Sequence, residues 1–268
     1  MKSLFAVEPG SETAFEQLPD SLPAPFERIE LPGELLDVAA IRKRLLKPVR
    51  GLTLGVADVV APELARRVAE ADLPVRLEFM RLFRERCRRA SELRVSELTA
   101  DFDFSRAVAE PEYGRRLRSL LRGCYGILEE FRMTLRFPVR IDFAAGEDAA
   151  RYVRQLRDLL YPRLGLALEV DLEEPFPEGS RLPEALRFHS SYWRLRCAEP
   201  LEYASFRAFA PEDSDGNSTV PRRLVFVPSG PPDRLRLAEL AAQLEGGAPE
   251  VIQRELFFDG AGSGAGIA

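Results

Sequence analysis

A single (β/α)8 TIM barrel is the fold this sequence predicts, and three observations predict it. Eight short apolar runs recur between residues 3 and 227. Segments with helical spacing separate them, and no Pro- or Gly-rich linker divides the chain. Strands that alternate with helices pair in parallel through right-handed crossovers, and eight such units close a barrel. A doubly wound open sheet is the competing arrangement, but no Gly-rich phosphate turn follows the first run. The barrel is expected over residues 1–258. A Gly-rich tail follows at 259–268, too poor in apolar surface to order itself.

Taken in chain order, strands are expected at 3–8, 28–31, 52–57, 95–101, 134–141, 166–172, 193–197 and 224–227. Between the third and fourth, Phe79, Phe83, Cys87 and Ala90 form a stripe flanked by Arg81, Arg84, Arg88 and Arg89. Leu117, Leu120, Leu121, Cys124, Ile127, Leu128 and Phe131 form a second, at steps of three and four. Ala149, Val153, Leu156 and Leu160 make a third. Leu237, Leu240, Ala241 and Leu244 make a fourth, which Gly246-Gly247 stops. Each stripe reads as a helix face packed on the sheet, with the arginine-rich opposite faces solvated. Residues 173–222 are the least regular part, with plain loops at 173–180 and 211–218.

Composition narrows the function classes. The 268 residues are 46% apolar and 30% charged, enough for one continuous core. Acids outnumber bases by 43 to 38, a net charge of -5, so a dedicated nucleic-acid binder is not expected. No apolar run approaches the ~20 residues of a membrane span, so no membrane partner is expected either. The opening Met1-Lys2-Ser3-Leu4-Phe5-Ala6-Val7-Glu8 turns acidic too soon for a signal peptide. Cys87, Cys124 and Cys197 are widely spaced and form no CxxC. They read as small buried hydrophobes in a reducing cytoplasm. Every base except Lys2, Lys43 and Lys47 is arginine, so a base buried here stays charged and suits bidentate pairing.

Strand parity then says what fills the barrel. Alternate side chains face the helix layer and the lumen. Because the helix layer is apolar, the apolar parity must face it. The fourth strand therefore turns Leu98, Ala100 and Phe102 outward and Glu97, Thr99 and Asp101 inward. The fifth leaves Thr134, Arg136, Pro138 and Arg140 inside, and the sixth Ala167, Glu169 and Asp171. The seventh leaves Arg194 and Arg196 inside. The lumen of these four strands reads acid, base, acid, base, and such charges must pair between neighbouring strands. The first three strands are expected to contribute fewer charges, with Thr53, Gly55 and Ala57 inward on the third. That side is expected to be the roomier.

Barrel sites lie at the C-terminal ends of the strands. Asp101, Arg140, Asp171 and Arg196 are the candidates there, with Glu169 beside them. This pattern suits either an ion-pair network that fills the lumen or a polar pocket for a hydroxylated or anionic small molecule. Other catalytic vocabulary is sparse. His189 is the only histidine, so histidine-dependent nucleophilic chemistry has one available base. It stands at the end of a helix begun near Pro183 or at the start of a long strand, and the helix is the better fit. A histidine-rich metal site is excluded by count. A mixed site of Asp171, Glu169 and His189 has no ligand spacing behind it. Residues 213–217 resemble a calcium loop but lack its bidentate Glu.

Several segments carry a family resemblance. They are residues 93–103 followed by a long helix, Leu135-Arg136-Phe137-Pro138-Val139-Arg140, Leu168-Glu169-Val170-Asp171 and Leu224-Val225-Phe226-Val227-Pro228. Over roughly residues 52–244 the chain resembles the xylose isomerase-like barrels, the group of sugar-phosphate isomerases and epimerases and endonuclease-IV-like enzymes. The resemblance implies a divalent metal held by carboxylates and a His at the ends of later strands, promoting isomerisation or epimerisation of a sugar. The chain departs from that pattern. Arg140 stands near the place of an expected ligand Glu, and the eighth strand ends in Val227-Pro228-Ser229 with no acid. Asp171 alone matches a ligand type at a plausible position. An arginine beside a dication repels it and competes for its carboxylates.

The expectation is therefore a divergent barrel of this kind that binds, isomerises or epimerises a carbohydrate-derived small molecule, with no metal and no other cofactor. Arg140 and Arg196 would clamp an anion or hydroxyls, with Glu169 as a further contact. Asp101 and Asp171 would orient the ligand or act as a base. A non-catalytic barrel serving as a binding or scaffold protein is the alternative. The sequence does not set the oligomeric state.

Overall fold

The computed structural model describes residues 4–9, 12–16, 18, 22–46, 53–141, 146–159, 162–172, 181–187, 189, 191–197, 206, 223–228, 237–238 and 240–242. Eight parallel strands close into a barrel in sequence order: β1 (Leu4–Val7), β2 (Phe26–Pro32), β3 (Thr53–Ala57), β4 (Glu97–Thr99), β5 (Thr134–Arg140), β6 (Leu164–Asp171), β7 (Tyr192–Cys197) and β8 (Arg223–Pro228). The ring closes where β8 pairs with β1, through Phe5↔Leu224 and Ala6↔Val225. All eight expected strands are present, with ends shifted by up to two residues.

The outer layer comprises α1 (Glu12–Glu16), α2 (Ala39–Leu45), α3 (Pro62–Arg67), α4 (Leu73–Glu92), α5 (Phe104–Ala109), α6 (Pro111–Phe131), α7 (Gly146–Leu159) and α8 (Glu184–Arg187). Residues 237–238 and 240–242 are also helical. The two long helices show why the stripes predict them. Asp72 caps α4 by accepting from the Val75 backbone N–H at 3.3 Å, and Pro74 stands in the first turn, where its missing N–H costs nothing. The stripe Phe79, Phe83, Cys87 and Ala90 is fully buried. Its rings continue a ladder into the sheet, Phe83–Phe79–Phe102–Phe137, with successive centroids 5.9, 5.8 and 6.0 Å apart. Each such ring removes enough apolar surface from water to stabilise the fold by about 1.5–3 kcal/mol. Helix α6 buries Leu117, Leu120, Leu121, Cys124, Ile127 and Leu128 and ends where Arg132 turns left-handed.

The outward arginines are less simply solvated than expected. Arg81 pairs with Glu78, Arg88 with Glu85, and Arg84 reaches Glu130 on α6. Arg86, on the same helix, is buried and donates to the Val59 carbonyl at 2.9 Å and to Asp37 at 2.8 Å. The thiols of Cys87 and Cys124 are buried and free, and burial pushes the Cys124 pKa up to about 12. The Cys197 side chain, Leu160, Leu244, the loops at 173–180 and 211–218 and the tail at 259–268 lie outside the described residues. Among the described residues no helix is long and apolar enough to cross a membrane.

Candidate functional site

The lumen carries the charges that parity assigns to it, and more. Glu97 on β4 accepts from Arg136 Nη2 at 2.8 Å and from Arg223 Nη1 at 2.9 Å, and Arg28 Nη2 stands 3.5 Å away. Arg28 also donates to Glu30 at 2.6 Å. Three arginines and two glutamates thus share the floor of the barrel. Here the expectation that the first strands contribute fewer charges is corrected: β2 supplies both Arg28 and Glu30, and Glu8 follows β1. Nor is that side roomier. A Cβ on Gly55 would stand 2.0 Å from Glu30 Oε2 and 2.2 Å from Arg28 Nη2, so the missing side chain of β3 is the space these two groups fill. Tyr192 lies fully buried beside them, with the Arg136 guanidinium 5.1 Å from its ring centroid. Burial, with Arg28 and Arg136 nearby, lowers the Arg223 pKa in spite of Glu97.

The mouth, at the strand C-termini, has the opposite composition. Arg194 on β7 donates from Nη2 to both Glu8 carboxylate oxygens at 3.0 Å. The same nitrogen lies 3.7 Å from Asp58, and Nη1 lies 3.2 Å from Glu169. Glu169 is the register neighbour of both Arg140 and Arg194, so adjacent strands bring these groups together. Asp58 arrives by a different device. The chain leaves β3 in a left-handed turn at Asp58, φ 46°, a conformation that aspartate tolerates. Thr99 holds the turn, its hydroxyl accepting from the Asp58 N–H at 2.9 Å and its carbonyl from the Val59 N–H at 2.8 Å. Gly33 lets β2's exit pass close by: a Cβ there would be 2.4 Å from the Asp58 carbonyl.

Burial dominates the electrostatics of this cage. It raises the Glu8 carboxyl to about 7 against the lowering pull of Arg194. It raises Asp58 too, with Arg194 opposing and Asp101 and Glu169 adding to the rise. Burial also works against the Arg194 charge, but Glu8, Asp58 and Glu169 together outweigh it and the guanidinium stays protonated. The protonation of Glu8 thus changes near neutrality. Sequence reasoning put Glu8 at the end of the first expected strand but missed its role, because the unbroken apolar run Leu4-Phe5-Ala6-Val7 has no alternation from which to read a lumen face.

The sequence-derived candidates fall around this cage. Arg140 and Arg196 end adjacent parts of the rim and are 65% and 59% exposed along their side chains. Asp171, between them on β6, lies 4.0 Å from Arg140 and pairs in register with Arg196. Arg196 Nε is 4.0 Å from Glu169. Asp101 stands apart from the pairing scheme: it lies beyond the end of β4 and pairs with Arg66 of α3, not with a neighbouring strand. His189 follows α8, its N–H bonded to the Leu186 carbonyl at 2.9 Å, as the helix reading expects. Burial, Arg157 and Arg136 lower its pKa. Two grooves among the described residues lie on the outer layer, one between α7 and α8 and one between α4 and α6. Neither is lined by any residue of the strand ends.

The donor set does not suit the divalent metal that the resemblance implies. Asp171 has a guanidinium on either side, and Arg194 already occupies the centre of the other carboxylate group. Among the described residues no group of three or more His, Cys, Asp or Glu is arranged to hold a metal ion.

Comparison with known proteins bears on the architecture. No family model matches the chain, and no curated protein matches it. Solved structures do. A D-psicose 3-epimerase determined in the presence of D-fructose aligns over 96% of this chain and 98% of its own, with TM-score 0.56 and 16% identity. The D-psicose 3-epimerase with D-tagatose from Clostridium cellulolyticum H10 covers 95% of each chain at TM-score 0.57 and 13% identity. A xylose isomerase domain protein from Planctomyces limnophilus covers 94% of this chain and 96% of its own, at TM-score 0.53 and 13% identity. The chain has the xylose isomerase-like barrel fold. At these identities the xylose isomerase-like likeness concerns the course of the backbone and not the chemistry.

Proposed function

We propose that this xylose isomerase-like barrel binds a carbohydrate-derived small molecule bearing a carboxylate or phosphate at the mouth, without a metal. The observation that carries the reading is the rim of β5, β6 and β7, where the exposed Arg140 and Arg196 flank Asp171. Two guanidinium forks suit an anionic group, and a carboxylate between them suits hydroxyls. The epimerases of like fold, determined in the presence of D-fructose and with D-tagatose, suggest the ligand class. Glu169 shapes the pocket wall through Arg194, and Asp101 closes the β4 side with Arg66. If the site turns its ligand over by moving a proton next to a carbonyl, Asp171 and Glu8 are the groups to carry it. Binding without turnover is favoured by a different fact: Glu8, Glu97, Glu169 and Asp101 are each held by an arginine. The buried free thiols Cys87 and Cys124 suit a reducing cytoplasm as the setting.

Calorimetry with a panel of neutral sugars, sugar acids and sugar phosphates tests this. Anionic members are expected to bind, with affinity falling about tenfold or more in Arg140→Ala/Arg196→Ala. A panel with no binder, or binding that the double substitution leaves intact, contradicts it. Deuterium exchange from solvent into the bound sugar, followed by NMR, separates turnover from binding.

A further inference from the structure

We infer that the mouth takes up an anion together with one proton, and that Glu8 is the group that receives the proton. The inference rests on the rim reading above and adds what binding requires behind the rim.

Among the described residues the ion pairs of the mouth join five carboxylates, Glu8, Asp58, Asp101, Glu169 and Asp171, to four guanidiniums, Arg66, Arg140, Arg194 and Arg196. With every group ionised the set carries one negative charge in excess, which works against an anion at Arg140 and Arg196. One proton on a carboxylate removes that excess. Geometry selects Glu8 to take it. Glu8 is buried, and a single nitrogen, Arg194 Nη2, serves both of its oxygens at 3.0 Å. It therefore lacks the two-nitrogen fork that best holds a buried carboxylate ionised. Asp58, Asp101 and Asp171 are each more exposed, and Glu169 lies near both Arg194 and Arg196. Burial leads in raising the Glu8 pKa to about 7; Arg194 of β7 opposes it, and Asp58 after β3 and Glu30 of β2 add to the rise. From β8 the Phe226 carbonyl accepts the Glu8 backbone N–H at 2.9 Å. Arg194 also ties Glu8 to the rim. Its Nη1 lies 3.2 Å from Glu169, which is 4.0 Å from Arg196 Nε and the register neighbour of Arg140. A proton on Glu8 leaves more of the Arg194 charge for Glu169 and so weakens the hold of Glu169 on Arg196. By linkage, a bound anion makes Glu8 hold its proton more tightly.

The test titrates sulfate and D-gluconate, whose charges stay fixed between about pH 6 and 8.5, calorimetrically in buffers of different ionisation enthalpy. Uptake of up to one proton per anion is expected above about pH 7. Affinity is expected to fall about three- to tenfold from about pH 6 to 8.5. Glu8→Gln is expected to keep the low-pH affinity throughout and to take up no proton. A pH dependence that persists in Glu8→Gln, or binding to the unsubstituted protein with no proton taken up, overturns the inference and leaves the rim reading standing. Proton-coupled sulfate binding with no binder among the sugars contradicts the sugar reading and leaves the inference standing. No binding of either anion at about pH 6 overturns both. Should Glu8→Gln not fold, 13C NMR of glutamate-labelled unsubstituted protein follows the carboxyl that titrates near neutrality. Sulfate is expected to raise its titration midpoint by about 0.5 pH or more, and a midpoint that sulfate leaves unmoved overturns the inference.

Discussion

At the floor of the barrel three arginines converge on Glu97, whereas at the mouth three carboxylates converge on Arg194. The floor is closed by Tyr192 and packed into the space left by Gly55. The mouth opens onto Asp171, Arg140 and Arg196, which meet solvent. Similar residue types therefore do different work at the two ends. At the floor, an excess of positive charge surrounds one buried carboxylate, whose loss leaves three arginines without their shared partner. At the mouth, an excess of negative charge surrounds an equally buried arginine, and burial together with that excess raises the carboxyl pKa of Glu8 and Asp58.

The largest effect should come from the floor. Glu97→Ala strips the shared carboxylate from Arg28, Arg136 and Arg223, and breaking a buried pair in this way costs about 3–5 kcal/mol. Denaturant unfolding measures it, and a loss below about 1 kcal/mol would mean the floor is wet or rearranges easily. Gly55→Ala comes next, because its methyl must displace buried Glu30 and Arg28. Overpacking of this kind costs about 1–3 kcal/mol, read as a lower melting temperature with the far-UV spectrum unchanged.

The mouth should respond to pH. Glu8 and Asp58 have carboxyl pKa values raised by burial, Glu8 from 4.5 to about 7. The native chain then holds their protons more tightly than the unfolded chain does. Stability contributed through Glu8 is present below about pH 4.5, falls as pH rises towards 7 and is level above. The slope is at most ~1.4 kcal/mol per pH unit. Unfolding free energies between pH 5 and 8 should lose this slope in Glu8→Gln, and an equal slope in both proteins assigns it elsewhere. Least affected should be the stability of Arg140→Ala, within about 0.5 kcal/mol, since its side chain is mostly exposed. A larger loss would make the rim part of the structural network.

Much of this was legible in the sequence because period-two alternation against an apolar helix layer leaves little freedom. Leu135, Phe137 and Val139 could only face the helices, so Arg136 and Arg140 had to face inward. The same argument assigned Glu97, Glu169 and Arg194. It also applied to β2, where Ile29 and Leu31 face outward and leave Arg28 and Glu30 inside, but four residues make a weak alternation. Arg223 was missed because the apolar run starts one residue later. Asp58 was not legible at all: its position depends on a left-handed turn that Thr99, 41 residues away, holds in place. The Asp101–Arg66 pair likewise joins the exit of β4 to the helix after its neighbour β3, a contact set by how the strands pair and not by alternation.

The most direct test of the account measures ligand affinity with and without metal. Protein stripped with a chelator and protein supplied with Mn2+ would be titrated calorimetrically with the same anionic sugar. Equal affinity in both, lost in Arg140→Ala/Arg196→Ala, is the predicted result, because arginines provide the positive charge at this mouth. Affinity that appears only with the metal and disappears in Asp171→Asn would contradict it.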